Sequence, residues 1–190
     1  MNEYQMRAFI AIEMDPIVKE NLTKVISRFK KISSHVKWVK SEAMHLTLKF
    51  LGTIKNQKAT LIKDLLDRVS DVHDGFHLEC KGLGTFPQKS KKPRVIWAGM
   101  SECPSLMALQ SDIEKECESI GFLREKRGFH PHLTLGRIKK QSQIQDLLAE
   151  LKINPKTDFG ITEVDRVILF KSTLTPTGAV YDKVYESHLK

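Results

Sequence analysis

The sequence predicts an α+β protein built on antiparallel sheets, and three observations predict it. Segments with strand character come in runs rather than in strict alternation with helices. Long stretches between them carry apolar residues at helical spacing with Lys-rich intervening positions. One tetrapeptide, His-Leu-Thr-Leu, occurs at 45–48 and again at 132–135, once in each half of a 190-residue chain.

The elements follow in order. Met6 to Glu13 is an apolar run too short for a helix, and predicts a buried strand. Asp15-Pro16 is a helix start, and Ile17, Val18, Leu22, Val25, Ile26, Phe29 and Ile32 recur at helical spacing behind it. Val36 to Val39 is a short strand, and the first motif strand runs from His45 to Leu51, ended by Gly52. Asn56 is the expected cap of a second helix reaching about Val72, with Leu61, Ile62, Leu65, Leu66 and Val69 as its stripe. Phe76 to Phe86 and Val95 to Met100 read as paired strands joined by a basic connection with Lys89, Lys91, Lys92 and Arg94, which a phosphate backbone would attract. A third helix spans about Pro104 to Ile120, with Gly121 just past its end. The second motif strand is Phe129 to Arg137, followed by a short helix from Ser142 to Leu151. Strands at 159–161, 165–171 and 180–187, the last two closed by a turn at 175–178, complete the chain. Each half carries helix, motif strand and helix in that order, which predicts two similar lobes.

Composition narrows the function classes. A chain this long needs no disulfide or metal staple, and 41% hydrophobic with 28% charged residues is ordinary for a globular protein. The balance of 31 basic to 23 acidic residues, +8 net, favours polyanions and nominates nucleic acid or nucleotide. Cys80, Cys103 and Cys117 are odd in number and form no Cys-x-x-Cys pair, which fits a reducing cytoplasm and argues against a disulfide framework or a zinc ribbon. No signal peptide and no membrane helix are expected.

The repeated tetrapeptide carries the chemistry. Alternation along a strand turns His45 and Thr47 one way and Leu46 and Leu48 the other, and the same holds for His132 and Thr134. Each copy is thus a strand with an apolar back and a front offering an imidazole and a hydroxyl about 7 Å apart. No metal-ligand cluster, nucleophile elbow or phosphate loop competes with it. A pair of imidazoles can take a proton from a nucleophile and give one to a leaving group. Two hydroxyl donors suit the non-bridging oxygens of a phosphodiester, and Arg137 would add a bidentate donor. The pattern therefore points to metal-free attack on a phosphodiester, in line between the two histidines. By strict alternation Arg137 faces away from His132, and it reaches the cleft only if the strand ends or bulges near Gly136.

The two His-x-Thr-x motifs, Arg7-Ala-Phe-Ile-Ala-Ile-Glu13, Trp38-Val39, His45 to Gly52, Phe129 to Arg137 and Leu169 to Pro176 with Gly178 and Tyr181 resemble the two-histidine (2H) phosphoesterase superfamily. Within it they resemble the RNA 2′,3′-cyclic phosphodiesterase branch, once described as 2′-5′ RNA ligases. The resemblance spans nearly the whole chain. It implies a bilobal fold over residues 1–190 with one motif per lobe around a central cleft, no cofactor, and hydrolysis of 2′,3′-cyclic phosphate RNA ends to a 2′-phosphate. It implies His45 as general acid and His132 as general base. Thr47, Thr134 and Arg137 become phosphate contacts, and Phe9 and His130 candidate nucleotide contacts. The expected partners are RNA with cyclic phosphate ends, such as tRNA fragments, or cyclic nucleotides, for a monomeric cytoplasmic enzyme with no membrane partner. Ligation to a 2′-5′ linkage runs the same chemistry backward, and a non-catalytic basic RNA-binding module is the alternative from another class.

Overall fold

The computed structural model describes residues 5–88, 90, 92–141, 144–153, 156–176 and 178–190. In chain order these form β1 (Gln5–Glu13), α1 (Pro16–Ile32), β2 (Val36–Trp38), a 3-10 turn (Ser41–Ala43), β3 (His45–Lys55), α2 (Asn56–Ser70), β4 (Phe76–Phe86), β5 (Val95–Met100) and α3 (Pro104–Ser119). They continue with β6 (His132–Ile138), α4 (Gln145–Ile153), β7 (Asp158–Val164), β8 (Arg166–Thr175) and β9 (Gly178–His188). The expected α+β class is what forms: one sheet in the order β3-β1-β8-β9, and a second in the order β2-β6-β5-β4-β7. All described pairings are antiparallel.

Local chemistry accounts for most boundaries. The Asp15 carboxylate accepts the Ile17 N–H at 2.8 Å, and Pro16 sits in the first turn, where its missing N–H goes unused. Val18, Leu22, Ile26 and Phe29 are the buried stripe of that helix. At α3, Leu106, Leu109, Ile113 and Cys117 are buried, and Gly121 follows at φ +89° as the left-handed residue that ends it. Three expectations shift. Asn56 is the first helical residue rather than the cap; Lys55 holds the cap position, and its side chain does not cap the helix. Gly52 does not end β3: at φ +70° it bends the strand and pairing continues to Lys55. β6 starts at His132 rather than Phe129, because Pro131 has no N–H for a ladder. Lys89 and Lys91 of the basic connection, Ser142 and Thr177 lie outside the described residues.

The two lobes are not the two halves of the chain. β2, from the first half, pairs with motif strand β6, while β8 and β9, from the end of the chain, extend the sheet of motif strand β3. The helices cross over too, α1 packing on β7 and α3 on β3. One apolar cluster runs through both lobes, from Ile10, Ile12 and Leu46 to Ile96, Leu133 and Leu135. A separate small cluster of Phe9, Ala11, Ile168 and Phe170, with Tyr181 against it, lies on the opposite face of the first sheet. That second cluster underlies the site. Among the described residues no helix is long and apolar enough to cross a membrane.

Candidate active site

β3 and β6 come together where the two sheets meet, so the two tetrapeptides are neighbours across the cleft. Their backs behave as the alternation requires: Leu46, Leu48, Leu133 and Leu135 are all buried, while His45, Thr47, His132 and Thr134 are partly exposed.

The register carries a feature that alternation alone does not give. His45, Thr47 and Phe50 stand opposite Glu13, Ala11 and Phe9 of β1, so Leu48 is an extra residue on its strand. His132, Thr134 and Arg137 stand opposite Gly99, Trp97 and Val95 of β5, so Leu135 is extra on its strand. Opposed residues of an antiparallel pair project to one face, and one bulge inverts the parity beyond it. Arg137 therefore shares the face of His132 and Thr134, and Phe50 shares that of His45 and Thr47. The bulge sits next to Gly136, where a Cβ would lie 2.6 Å from Val36 Cγ1 and 2.9 Å from the Trp38 ring, leaving room only for glycine. The match between Phe50 and Arg137 is visible once His-Leu-Thr-Leu-Lys-Phe is laid on His-Leu-Thr-Leu-Gly-Arg. Phe50, 72% exposed on a cleft face, is a candidate contact that single-motif reasoning misses.

Each imidazole is oriented from two residues back along the chain. His132 Nδ1 lies 2.7 Å from the His130 carbonyl oxygen. A carbonyl only accepts, so Nδ1 carries the proton and Nε2 is the nitrogen free to work. His45 makes the matching hydrogen bond to the Ala43 backbone. The surroundings differ. His45 stacks on Phe9 at 4.6 Å between centroids and meets the edge of Tyr181 at 4.9 Å. Burial among these rings pushes its pKa down to about 4, against the hydrogen bond to Ala43, with the nearby Lys19 charge helping. His132 meets the edge of Phe86 at 4.9 Å and borders a cavity of about 320 Å³.

The remaining candidates sort by position. Phe9 is 3% exposed, packed against His45 at 4.6 Å, Phe170 at 5.3 Å and the edge-on ring of Tyr181 at 5.1 Å, so it supports the imidazole and leaves almost no surface for a base. His130 gives its carbonyl to His132, and its residue lines the cavity. Lys49, beside the Leu48 bulge, is anchored by Glu114 at 2.5 Å and the Leu123 carbonyl at 2.7 Å, both charges being buried. Glu114 also accepts the Glu125 N–H at 2.6 Å, which ties β3, α3 and the following loop together. Burial raises the thiols of Cys80 and Cys117 to about 12, so neither is a thiolate. Among the described residues no three His, Cys, Asp or Glu side chains converge on one point.

A fold of two antiparallel sheets meeting at paired His-x-Thr strands defines a 2H-type phosphoesterase. The family model of the 2′-5′ RNA ligase superfamily matches residues 18–174, and the chain belongs to that family. An RNA 2′,3′-cyclic phosphodiesterase of Thermotoga maritima is 38% identical over 95% of this chain and 94% of its own. One of Methanocaldococcus jannaschii is 34% identical over 95% and 99%. Among solved structures, TT0787 of Thermus thermophilus superposes with a TM-score of 0.83 at 25% identity, covering 97% and 98% of the two chains. Escherichia coli LigT, complexed with 3′-AMP, superposes at 0.79 with 23% identity over 98% and 99%, a likeness of fold.

Proposed function

We infer that the chain is an RNA 2′,3′-cyclic phosphodiesterase, hydrolysing 2′,3′-cyclic phosphate ends to a 2′-phosphate by metal-independent acid–base catalysis. Relatives of that name at 30–38% identity over nearly the whole chain support the activity. The observation that carries the mechanism is the pair of imidazoles, each hydrogen-bonded to the backbone two residues back, on strands that also present Thr47, Thr134 and Arg137 to one cleft.

In this mechanism a water beside His132 gives its proton to Nε2 as its oxygen attacks phosphorus. The P–O3′ bond breaks in line and His45 supplies the proton to O3′, leaving the phosphate on O2′. Thr47 and Thr134 donate to the non-bridging oxygens, and the Arg137 guanidinium adds charge-assisted bonds there. With its pKa at about 4, His45 is neutral in the unliganded chain near pH 7. A phosphodiester anion entering the same dry site favours the imidazolium, so His45 gains its proton as substrate binds.

The unit doing this is one bilobal domain over residues 1–190, since each lobe draws strands from both halves of the chain. We take it to work as a cytoplasmic monomer on RNA ends such as tRNA fragments. The test is turnover of a cyclic-phosphate oligoribonucleotide in EDTA, with the product identified by ³¹P NMR. A 2′-phosphate is expected, and His45→Ala or His132→Ala should each lower kcat by roughly 10²- to 10⁴-fold. Undiminished activity in either variant overturns the reading.

A further inference from the structure

The face of the first sheet that carries His45 continues past it. Opposed residues of an antiparallel pair point to one face, so the register lays that face out in rows. Phe50, Phe9, Phe170 and Lys183 form one row across β3, β1, β8 and β9. Thr53, Arg7, Ser172 and Tyr181 form the next. Tyr181 reaches back from this second row, meeting the His45 ring edge-on at 4.9 Å and the Phe9 ring at 5.1 Å. The row therefore borders the imidazole on the leaving-group side of the cleft.

One guanidinium and three hydroxyls make up the row. Arg7 is exposed, and both its cross-strand neighbours, Thr53 and Ser172, carry hydroxyls rather than acids. The carboxylates of β1 and β9 that share the face are committed elsewhere, Glu13 to Lys19 and Lys183, and Glu186 to Lys183 and Arg166. A planar guanidinium flanked by hydroxyl donors suits a phosphate, through charge-assisted hydrogen bonds. Phe50, in the row before, is 72% exposed, and Leu174, two residues beyond Ser172, is 71% exposed. Large apolar side chains left open on both sides of a polar row mark a surface that a ligand covers.

The covalent structure of the substrate says which phosphate reaches it. In the in-line step O3′ departs toward His45, so C3′ of the ribose lies on the first-sheet side of phosphorus. C4′ is bonded to C3′, and the C5′–O5′ arm continues from there, away from the reacting phosphorus and over the same sheet. Along β1, Ala11 is the partner of Thr47, and Arg7 lies four residues away, about 13 Å along the strand. One nucleotide unit and an extended arginine side chain together cover that span.

We propose that Arg7, with Thr53, Ser172 and Tyr181 beside it, is a second phosphate site, which takes the 5′-phosphate of the nucleotide carrying the cyclic end. The proposal rests on the reading above, with His45 as acid. Through this site the enzyme tells the end of an RNA chain, whose last nucleotide carries a 5′-phosphodiester, from a cyclic mononucleoside with a free 5′-hydroxyl. No bond to the 5′-phosphate forms or breaks. The contact is the same in ground state and transition state, so it lowers KM and leaves kcat alone.

The experiment compares adenosine 2′,3′-cyclic phosphate with its 5′-phosphorylated counterpart, two substrates that differ only in the group at issue. For the wild-type chain the 5′-phosphate should lower KM by about tenfold or more at unchanged kcat, a preference that narrows as salt rises. Arg7→Gln should abolish the preference while leaving kcat/KM for the unphosphorylated substrate within about twofold, and Arg7→Lys should keep part of it. Ser172→Ala should reduce it by less than Arg7→Gln does. Equal KM values for the two substrates in the wild type overturn the proposal, as does a preference that survives Arg7→Gln. So does an equal loss on both substrates, which marks Arg7 as a purely structural residue. A preference removed by Arg137→Ala instead places the 5′ arm over the second sheet and overturns it too. Turnover of neither substrate by the wild type sinks the enzymatic reading alone, and the same comparison is then made on Kd by calorimetry, with the same outcomes.

Discussion

Acidification should destabilise this protein through His45, and the size of the effect follows from where that ring sits. Stacked on Phe9 and edged by Tyr181, His45 has a folded-state pKa of about 4, against 6.5 for a free imidazole. The folded chain thus binds fewer protons than the unfolded chain between these values, so stability is complete above pH 6.5 and is lost as pH falls toward 4. Relative to pH 7.5, the linkage gives a loss of about 2 kcal/mol at pH 5 and about 3 kcal/mol at pH 4. Carboxylates add their own losses lower down. Although burial works against it, the ammonium groups of Lys183 and Lys19 hold the Glu13 carboxyl below its usual range, so its contribution is lost only below about pH 4.5. The window from pH 5 to 7.5 lies above the carboxylates, and comparison with a variant lacking the ring separates His45 from the other six histidines. Urea unfolding of the wild type and of His45→Gln across that window should show a slope steeper in the first, the two differing by about 2 kcal/mol between pH 7.5 and pH 5. Equal slopes in the two proteins would refute the burial argument.

Other expectations follow from the same geometry. A phosphodiester with a p-nitrophenolate leaving group needs no protonation, so it should rescue most of the defect of His45→Ala and little of that of His132→Ala; the reverse pattern would exchange the two roles. Gly136→Ala places a Cβ against Val36 and Trp38 beside the bulge, and should cost about 1–3 kcal/mol in thermal unfolding. In the same variant KM should rise as Arg137 is re-aimed, and unchanged values of both would show that the strand absorbs the methyl. Glu114→Gln leaves the Lys49 ammonium buried without its counter-charge, an expected loss of about 3–5 kcal/mol in urea unfolding that Lys49→Met in the same chain should largely recover. Arg137→Ala should weaken cyclic-phosphate RNA binding and flatten its salt dependence, read from affinities at two ionic strengths.

The site was largely legible because its signal is local. A strand alternates faces whatever surrounds it, so a tetrapeptide with two apolar and two functional residues already separates back from front. Helices were legible for the same reason: Asp15-Pro16 and the stripe from Val18 to Phe29 act within a few turns. What misled was also local. Asn56 has the chemistry of a cap, but strand pairing with β1 holds Lys55 in that position and starts the helix one residue later.

By itself the sequence determined the class, the two motif strands and the four side chains they present, because each depends on spacing and residue type over a few positions. Tertiary structure alone decided the rest. Pairing with β1 and β5 introduced the bulges at Leu48 and Leu135 that turn Phe50 and Arg137 to the cleft. Packing between distant segments sent β2 and α1 to one lobe and β8, β9 and α3 to the other. It also broke the equivalence of two identical tetrapeptides, burying His45 among Phe9, Phe170 and Tyr181 while His132 borders an open cavity. Burial and register belong to contacts between residues far apart in the chain, and no local pattern encodes them.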